Sequence, residues 1–146
     1  MIRPYTVEDA AVCMDILEVN TPEFFLPADR QELAAFLDDL PEPYFMVEEQ
    51  GRIVARGGWA MDPEGVADLT WCMVRRNSQR CGIGCMLLHH RLAGVRTESS
   101  ASRARVRTTQ LVQGFFAREG FREVEVIPAG FGAGLDQVTM EHCLRV

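Results

Sequence analysis

The sequence contains no lysine, and all 15 of its basic residues are arginine. This bias is typical of a genome rich in G and C, and it leaves the protein without a lysine side chain that could be acylated. It also excludes the P-loop signature, which requires a Gly-Lys pair followed by serine or threonine. No apolar run among the 146 residues approaches the length needed to span a bilayer. A membrane protein is therefore not expected.

An excess of positive charge is also absent, because the net charge is −6. This acidity argues against nucleic acid as the main partner and weakly favours a cationic substrate such as an amine. Three arginines do alternate along one predicted strand, at positions Arg103, Arg105 and Arg107. We interpret them as partners in cross-strand ion pairs with Glu123 and Glu125 on a neighbouring strand.

Neither a secretory leader nor a disulfide framework is indicated. Asp9 and Asp15 interrupt the apolar residues near the N-terminus, so no signal peptide is expected and the cytoplasm is the expected compartment. The five cysteines are an odd number, which favours free thiols. Cys81, Cys85 and His89 would share one face of a helix, but a zinc site needs more ligands in a known pattern. No metal is therefore expected.

Hydrophobic periodicity predicts a single domain over residues 1–146. Its elements follow in the order βαα-βββ-α-β-α-ββ, which is an α/β or α+β fold built on a mixed sheet. A Gly-rich loop at Gly130–Gly134 separates the last two strands. The predicted strands are Ile2–Tyr5, Tyr44–Glu49, Arg52–Met61, Val66–Val74, Arg103–Thr108, Phe121–Ile127 and Gln137–Arg145. The predicted helices run over about Thr6–Val19, Leu33–Leu40, Ile83–Arg96 and Thr109–Gly120.

One segment of the sequence indicates a specific chemistry. The strand Val66–Val74 is followed by a polar turn, then by Gln79, Gly82 and Gly84, and then by an apolar helix. A helix N-terminus has unpaired N–H groups and a partial positive charge, and glycine lets the backbone approach a ligand closely. The segment therefore predicts an anion site suited to a diphosphate. An ordinary strand-turn-helix without a ligand is the alternative.

The residues Gln79-Arg80-Cys81-Gly82-Ile83-Gly84 resemble the (Gln/Arg)-x-x-Gly-x-(Gly/Ala) signature of the GNAT superfamily of N-acetyltransferases. The segment Phe115–Phe121 looks like that superfamily's Phe-Tyr-x-x-x-Gly-Phe motif, and the element order extends the resemblance over essentially the whole chain. The resemblance implies a GNAT fold. Such a fold has a mixed, mostly antiparallel sheet of about six or seven strands, splayed between the fourth and fifth strands and flanked by about four helices.

The resemblance also implies acetyl-CoA as co-substrate and an amine acceptor, either a small molecule or a peptide. The pyrophosphate would be held by the segment just quoted, that is, by Gln79, Arg80, Cys81, Gly82, Ile83 and Gly84. The backbone of Met73 and Val74 would pair with the pantetheine arm as an added strand would. Cys81 is either a thiol activated by the helix N-terminus or a small residue tolerated in the loop. Homodimers are common in the superfamily, although no pattern in this sequence proves one.

Amide formation from a thioester needs a neutral amine, and therefore a base or a water relay. Asp68 is the candidate base. It lies eleven residues before Gln79, the offset at which the histone acetyltransferase branch of the superfamily carries its glutamate. A solvated carboxylate at the start of a strand is the alternative interpretation. Glu48 and Glu49 are lesser candidates that would act through water.

The sequence departs from the superfamily pattern at Phe116, which replaces the tyrosine that often protonates the departing thiolate. Water could serve as the proton donor, or Cys72 or Tyr44 could substitute for the tyrosine. Otherwise the protein binds acyl-CoA without efficient turnover, as a non-catalytic CoA sensor. A small protein interaction module with a degenerate site is the third possibility. Acceptor specificity would come from the segments Asn20–Leu40 and Gly130–Gly134, and neither segment identifies the acceptor.

Overall fold

The computed structural model describes residues 1–20, 29–41, 43–75, 78–79 and 82–144. Within these ranges the chain forms seven strands, four α-helices and one 3-10 helix, Val7–Asp9, which leads into the first α-helix. The strands are β1 (Ile2–Pro4), β2 (Tyr44–Glu49), β3 (Arg52–Met61), β4 (Ala67–Val74), β5 (Arg103–Thr108), β6 (Arg122–Gly132) and β7 (Leu135–Cys143). The α-helices are α1 (Ala10–Asn20), α2 (Asp29–Asp38), α3 (Ile83–Glu98) and α4 (Gln113–Arg118).

The strands form one mixed sheet in the order β1-β2-β3-β4-β5-β7-β6. Only β4 and β5 are parallel among the described strands, and all other neighbours are antiparallel. The parallel pairing is short, because it joins Ala67 to Ala104 and Asp68 to Arg105 and no further residues. The predicted mixed, mostly antiparallel sheet with four helices is confirmed, and the short β4–β5 pairing is consistent with the predicted splay.

Helices cover both faces of this sheet. Side chains alternate between the faces along each strand, so each face presents apolar residues that a helix layer buries. Tyr44 and Met46 of β2 face α1 and α2, where they join a buried cluster with Cys13, Ile16, Leu17 and Leu33. The opposite face packs against α3 and α4 through Leu88, Leu92, Val106, Phe116 and Met140. A helix both long enough and apolar enough to cross a membrane does not occur in the described parts of the chain.

Every predicted element is present, and the bounds of several differ from the prediction by a few residues. The second helix covers Asp29–Asp38 and not Leu33–Leu40. The fourth helix begins at Gln113 and not at Thr109, because the Thr109 carbonyl closes a turn by accepting hydrogen bonds from Val112 and Gln113. The predicted loop Gly130–Gly134 is mostly strand, since β6 continues to Gly132 and β7 begins at Leu135. Positive φ angles at Gly132 and Gly134 allow this tight connection.

The arginines of β5 form ion pairs, as predicted, but the predicted partners were wrong. Glu123 and Glu125 lie on β6, and β7 separates that strand from β5. The charges are instead neutralised by residues of β4 and β7, which neighbour β5, and by Asp62 in the connection between β3 and β4. The observed pairs are Arg105 with Asp62 and Asp68, Arg107 with Asp68, and Arg103 with Glu141.

Close packing at Gly58 gives the fold a sharp test. A Cβ atom at Gly58 would lie 2.3 Å from the Pro43 carbonyl oxygen and 2.9 Å from the Tyr44 Cα, and this backbone has little room to move. We expect Gly58→Ala to destabilise the protein by about 3 kcal/mol, at the upper end of overpacking effects.

Urea unfolding measures this change, with Gly84→Ala as the matched control. A Cβ at Gly84 would meet side chains only at ordinary contact distances, the nearest at 3.6 Å. Because alanine favours helix over glycine, the control should be neutral or gain up to about 1 kcal/mol. A Gly58→Ala variant as stable as the wild type would contradict this packing.

Candidate functional site

The connection between β4 and α3 brings the predicted anion-binding residues together. Gln79 donates a hydrogen bond from Nε2 to the Val74 carbonyl at 3.1 Å, so its side chain ties the connection to the end of β4. Gly82 immediately precedes α3 and has φ +81° and ψ −1°, a left-handed conformation that glycine adopts without strain. Arg80 and Cys81, which are predicted for the same site, lie outside the described residues.

The first turn of α3 presents backbone donors. Gly82 has no side chain to cap the helix, and the hydrogen bond from the Met86 N–H to the Gly82 carbonyl, at 3.0 Å, is of the regular intrahelical kind. The N–H groups of Ile83, Gly84 and Cys85 precede it and have no acceptor within the helix. The 16 residues of α3 add the partial positive charge of a helix N-terminus. This donor set fits a diphosphate.

The two glycines of the segment have different roles. A Cβ at Gly82 would have no heavy atom within 4 Å, so the surface above this residue is open, and glycine is required there by the backbone conformation. A Cβ at Gly84 would lie 3.6 Å from the Val74 side chain and 3.7 Å from the Phe115 ring, which are ordinary van der Waals distances. Alanine would therefore fit at position 84, as the Gly/Ala alternative in the signature implies.

The end of β4 offers one backbone group to an added strand. The Arg75 N–H donates to the Val54 carbonyl of β3 at 2.7 Å. Alternate residues of a strand direct their backbone N–H and C=O groups to the same neighbour, so the backbone groups of Met73 also face β3. Val74 faces the opposite edge. Its carbonyl accepts hydrogen bonds from two side-chain amides, one of them Asn20 Nδ2 at 2.9 Å, which uses both lone pairs. The Val74 N–H is the group that a pantetheine arm would use.

A bulge interrupts β4 just before these residues. Trp71 and Cys72 together lie opposite Gly57 of β3, and Trp71 has a positive φ of 30°. The extra residue shifts the alternation of the strand by one. Without the bulge, the backbone groups of Val74 would face β3 and those of Met73 would face the opposite edge. The bulge therefore determines which residue reaches the open edge of β4.

A buried guanidinium supports the bulge. Arg56 is fully buried and donates from Nη1 to the Trp71 carbonyl at 2.8 Å and to the Tyr44 hydroxyl at 3.0 Å. The Tyr44 hydroxyl donates to the same carbonyl at 2.7 Å. Burial raises the pKa of Tyr44 to about 12. Because its hydroxyl is buried and already bonded to the bulge, the geometry favours a structural role for Tyr44 over proton donation to a thiolate.

Asp68, the candidate base, lies near the start of β4 in an ion pair. Arg105 donates from Nε to Oδ1 at 2.7 Å and from Nη2 to Oδ2 at 2.8 Å, and Arg107 Nη1 lies 3.5 Å from Oδ1. The side chain is 23% exposed. An amine that approaches Asp68 would have to share its oxygens with a guanidinium. Glu48, a lesser candidate, pairs with Arg3 at 3.8 Å.

The sequence matches the Acetyltransferase (GNAT) family over residues 11–121. The chain belongs to this family. A GNAT-family protein from Desulfovibrio desulfuricans has a TM-score of 0.85 at 21% identity, with 99% of this chain and 98% of that chain covered. The ribosomal-protein-S18-alanine N-acetyltransferase of Escherichia coli has a TM-score of 0.82 at 16% identity, with coverage of 100% and 94%.

A third solved structure contains a ligand. An aminoglycoside 6'-N-acetyltransferase complexed with coenzyme A has a TM-score of 0.80 at 13% identity, with 100% of this chain and 98% of that chain covered. At such identities the likeness establishes the fold. A search of curated proteins by sequence gave no match.

The fourth helix of this GNAT protein has an apolar side chain at its motif position. Phe116 is 5% exposed and packs edge-to-face on Phe121, with ring centroids 5.4 Å apart, and on Phe115 at 5.1 Å. A phenyl ring has no proton to donate. In this protein α4 therefore contributes an aromatic anchor to the core, and a thiolate would have to take its proton from another source.

The structure adds two residues that the sequence does not single out. Asn20 is 1% exposed and binds the Val74 carbonyl, while no partner for its Oδ1 appears in the described ranges. Arg56 lies fully buried beneath the bulge. Arg56 could have been noticed in the sequence, because an arginine inside an apolar strand is unusual. Asn20 could not, because its position indicates only the end of a helix.

Asp62 extends the ion-pair network beside Asp68. Its Oδ1 accepts the backbone N–H groups of Val66 and Glu64 at 2.9 Å each, and its Oδ2 accepts Arg105 Nη2 at 2.8 Å. These hydrogen bonds, foremost the one from Val66, hold the pKa of Asp62 below its ordinary value of 3.8. The unfolded chain therefore binds a proton at Asp62 more readily than the folded protein does.

This difference predicts how acid affects stability. A carboxylate with a lowered pKa in the folded state contributes stability above the unfolded value of 3.8, and the contribution is lost as the pH falls through the folded value. Asp62→Asn should therefore flatten part of the decline in unfolding free energy below about pH 4. Urea unfolding at a series of pH values from 7 to 3 measures this decline. Glu64→Gln, at an exposed position, is the control for the change in net charge. Equal acid slopes in both variants would contradict the assignment.

Proposed function

We propose that this protein transfers an acetyl group from acetyl-CoA to an amine. The observation that carries the proposal is the uncapped N-terminus of α3 behind the left-handed Gly82, at the end of a bulged β4. Membership of the GNAT family supports coenzyme A as the ligand of this site, because a solved structure with the same fold is complexed with coenzyme A. The proposed compartment is the cytoplasm, and a homodimer is the proposed assembly to test.

The proposed cofactor residues have two roles: some bind the diphosphate, and others hold the loop in position. In the proposal, the diphosphate binds the N–H groups of Gly82, Ile83 and Gly84 together with Arg80 and Cys81, whereas Gln79 orders the loop by bonding Val74. The pantetheine arm extends along the edge of β4 that β5 leaves after Asp68. Acetyl-CoA supplies an activated thioester carbonyl. The protein positions that carbonyl and an incoming amine in the same cleft.

Affinity for acetyl-CoA tests the first half of the proposal. Gly82→Asp places a carboxylate against the diphosphate and should weaken binding at least about 100-fold, the factor that about 3 kcal/mol of like-charge repulsion produces. Gly65→Asp is the matched control, since Gly65 has φ +82° beside φ +81° at Gly82, and neither has a heavy atom within 4 Å of an added Cβ. Both variants therefore carry the same backbone strain.

Isothermal titration calorimetry separates the outcomes. Wild type and Gly65→Asp should bind acetyl-CoA with similar affinity, and binding should raise the melting temperature of both. Equal weakening in the two variants would assign the effect to strain. A wild-type protein that gives no heat at millimolar acetyl-CoA would overturn the cofactor assignment.

Proton removal from the amine is the second half of the proposal, and Asp68 is the proposed base. Asp68→Asn keeps the shape of the side chain and removes its charge. If Asp68 accepts the proton directly or through water, kcat/KM should fall by about 10²–10⁴-fold near neutral pH. The loss should shrink as the pH rises, because free amine becomes plentiful. Affinity for acetyl-CoA should stay within about twofold, because the anion site lies at the other end of β4.

The ion pair with Arg105 supplies the competing explanation. If Asp68 only holds Arg105 in place, the fall in kcat/KM of Asp68→Asn should be the same at every pH, and Arg105→Gln should show the same fall. Glu141→Gln is the control, because it removes an acidic residue that pairs with a different arginine, Arg103. A pH-independent loss shared by Asp68→Asn and Arg105→Gln would assign the base to Glu48, Glu49 or water.

The acceptor is best sought among the chemical classes that solved relatives use. One relative acts on an alanine of a ribosomal protein and another on an aminoglycoside. A panel of peptide α-amines and aminoglycosides, followed by thiol release, therefore samples both classes. Phe116 favours one rival, a CoA-binding protein without turnover, because it removes the motif proton donor. Tight acetyl-CoA binding with no thiol release across the panel would support that rival.

A further inference from the structure

Three side chains with different donor atoms converge between α3 and α4. Cys85 and His89 are four residues apart on α3, and Glu119 lies directly after α4. Cys85 Sγ lies 3.2 Å from Glu119 Oε1, His89 Nε2 lies 2.6 Å from the same oxygen, and the sulfur is 3.7 Å from Nε2. The thiol of Cys85 and the imidazole of His89 therefore point at one carboxylate oxygen from two sides.

We propose that Cys85, His89 and Glu119 form a binding site for a zinc ion. Thiolate, imidazole and carboxylate are all zinc ligands, and together they are a donor set that suits this borderline-soft cation. Three protein ligands leave the fourth tetrahedral position to water. The proposal does not depend on acetyl transfer, because the zinc ligands are side chains, whereas α3 contributes only backbone N–H groups to the anion site.

The geometry is close to that of a loaded site. Ideal zinc bond lengths place a sulfur and a nitrogen ligand about 3.6 Å apart, and a nitrogen and an oxygen ligand about 3.4 Å apart. The sulfur–nitrogen separation of 3.7 Å already agrees with this value. The nitrogen–oxygen separation of 2.6 Å and the sulfur–oxygen separation of 3.2 Å both have to open, because hydrogen bonds to Glu119 now join these atoms. Rotation of the Glu119 side chain about its own χ angles supplies that change.

The charge balance also favours the ion. In the arrangement described, the Cys85 thiol donates to Glu119 and therefore carries its proton. A zinc ion takes the place of that proton, which leaves to solvent. The hydrogen bond to Glu119 also places a proton on His89 Nε2, so on zinc binding the neutral imidazole carries its proton on Nδ1 and coordinates through Nε2. The two charges of the cation are then matched by the thiolate and the carboxylate. The ion has a path from solvent, because the His89 side chain is 62% exposed and that of Glu119 is 21% exposed.

A bound ion would join two elements that frame the proposed cofactor site. Cys85 lies in the first turn of α3, whose N–H groups form the anion site, and Glu119 closes α4. Coordination would hold these segments together with a strength that hydrogen bonds on a partly exposed surface do not provide. The proposed consequence is a more stable protein in the presence of zinc.

Cobalt is the probe that reports the ligands. Wild-type protein freed of metal by a chelator should, on addition of Co²⁺, develop a thiolate-to-cobalt charge-transfer band and the visible bands of tetrahedral cobalt. Competition with Zn²⁺ then gives the zinc affinity, and elemental analysis after dialysis gives the stoichiometry. Zinc should also raise the melting temperature of the wild type, because it binds the folded state.

Isosteric variants test each ligand. Cys85→Ser, His89→Gln and Glu119→Gln should each weaken zinc binding by at least about 100-fold, since loss of a direct ligand exceeds the 10- to 100-fold effect of outer-shell changes. Cys143→Ser and His90→Gln are the matched controls and should stay within about twofold of the wild type. Circular dichroism checks that every variant is folded.

Protection of the wild-type thiol keeps the test independent of the variants. Zinc should slow alkylation of Cys85 at least about tenfold, as read from its peptide by mass spectrometry, because a coordinated thiolate is shielded. Alkylation of Cys143 should not change. Absence of zinc binding by the wild type, a charge-transfer band that persists in Cys85→Ser, or unchanged affinity in Glu119→Gln would each overturn the proposal.

Discussion

The course of β4 depends on one buried cation. Removing a guanidinium from water is unfavourable by several kcal/mol, and Arg56 has no carboxylate partner in the described part of the chain to offset this. Its solvation comes instead from the Trp71 carbonyl, the Tyr44 hydroxyl and the sulfur of Met73. A regular strand would turn the Trp71 carbonyl elsewhere, so the bulge is the conformation that satisfies the cation. The directions of Met73 and Val74 follow from that bulge.

The sequence predicted the fold because its local signals agree with one another. The Gln50-Gly51 turn identified β2 and β3 on either side of it, and alternation of apolar residues identified β5. All three strands have the predicted bounds. Gly82 was singled out for the close approach of backbone to ligand that glycine allows, whereas the structure adds that its left-handed conformation favours glycine. The Gln79–Gly84 segment combined a family signature with a preceding strand and a following helix, and that combination is specific enough to identify the family.

Features that depend on packing between distant segments were not predictable. The arginine at position 56 is visible in the sequence, but nothing local indicates that its acceptors come from both neighbouring strands, β2 and β4. The partners of the β5 arginines depend on strand order, which the alternation of residues does not specify. Glu119 meets His89 across 30 residues of sequence, and only the packing of α4 against α3 brings them together. Asp68 and Arg105 likewise meet through the single parallel pairing of the sheet.

Placing β6 last in the sheet gives the protein an open strand edge with exposed Val124, Val126 and Ile127. Such an edge is a template for pairing with other chains unless something interrupts it. In this strand Glu123 and Glu125 alternate with the valines, and Pro128 lies within the irregular stretch before Gly132. These charges and this break in register act as gatekeepers. Protection against edge-to-edge pairing with other chains therefore depends on a strand that contributes little to the core of the protein.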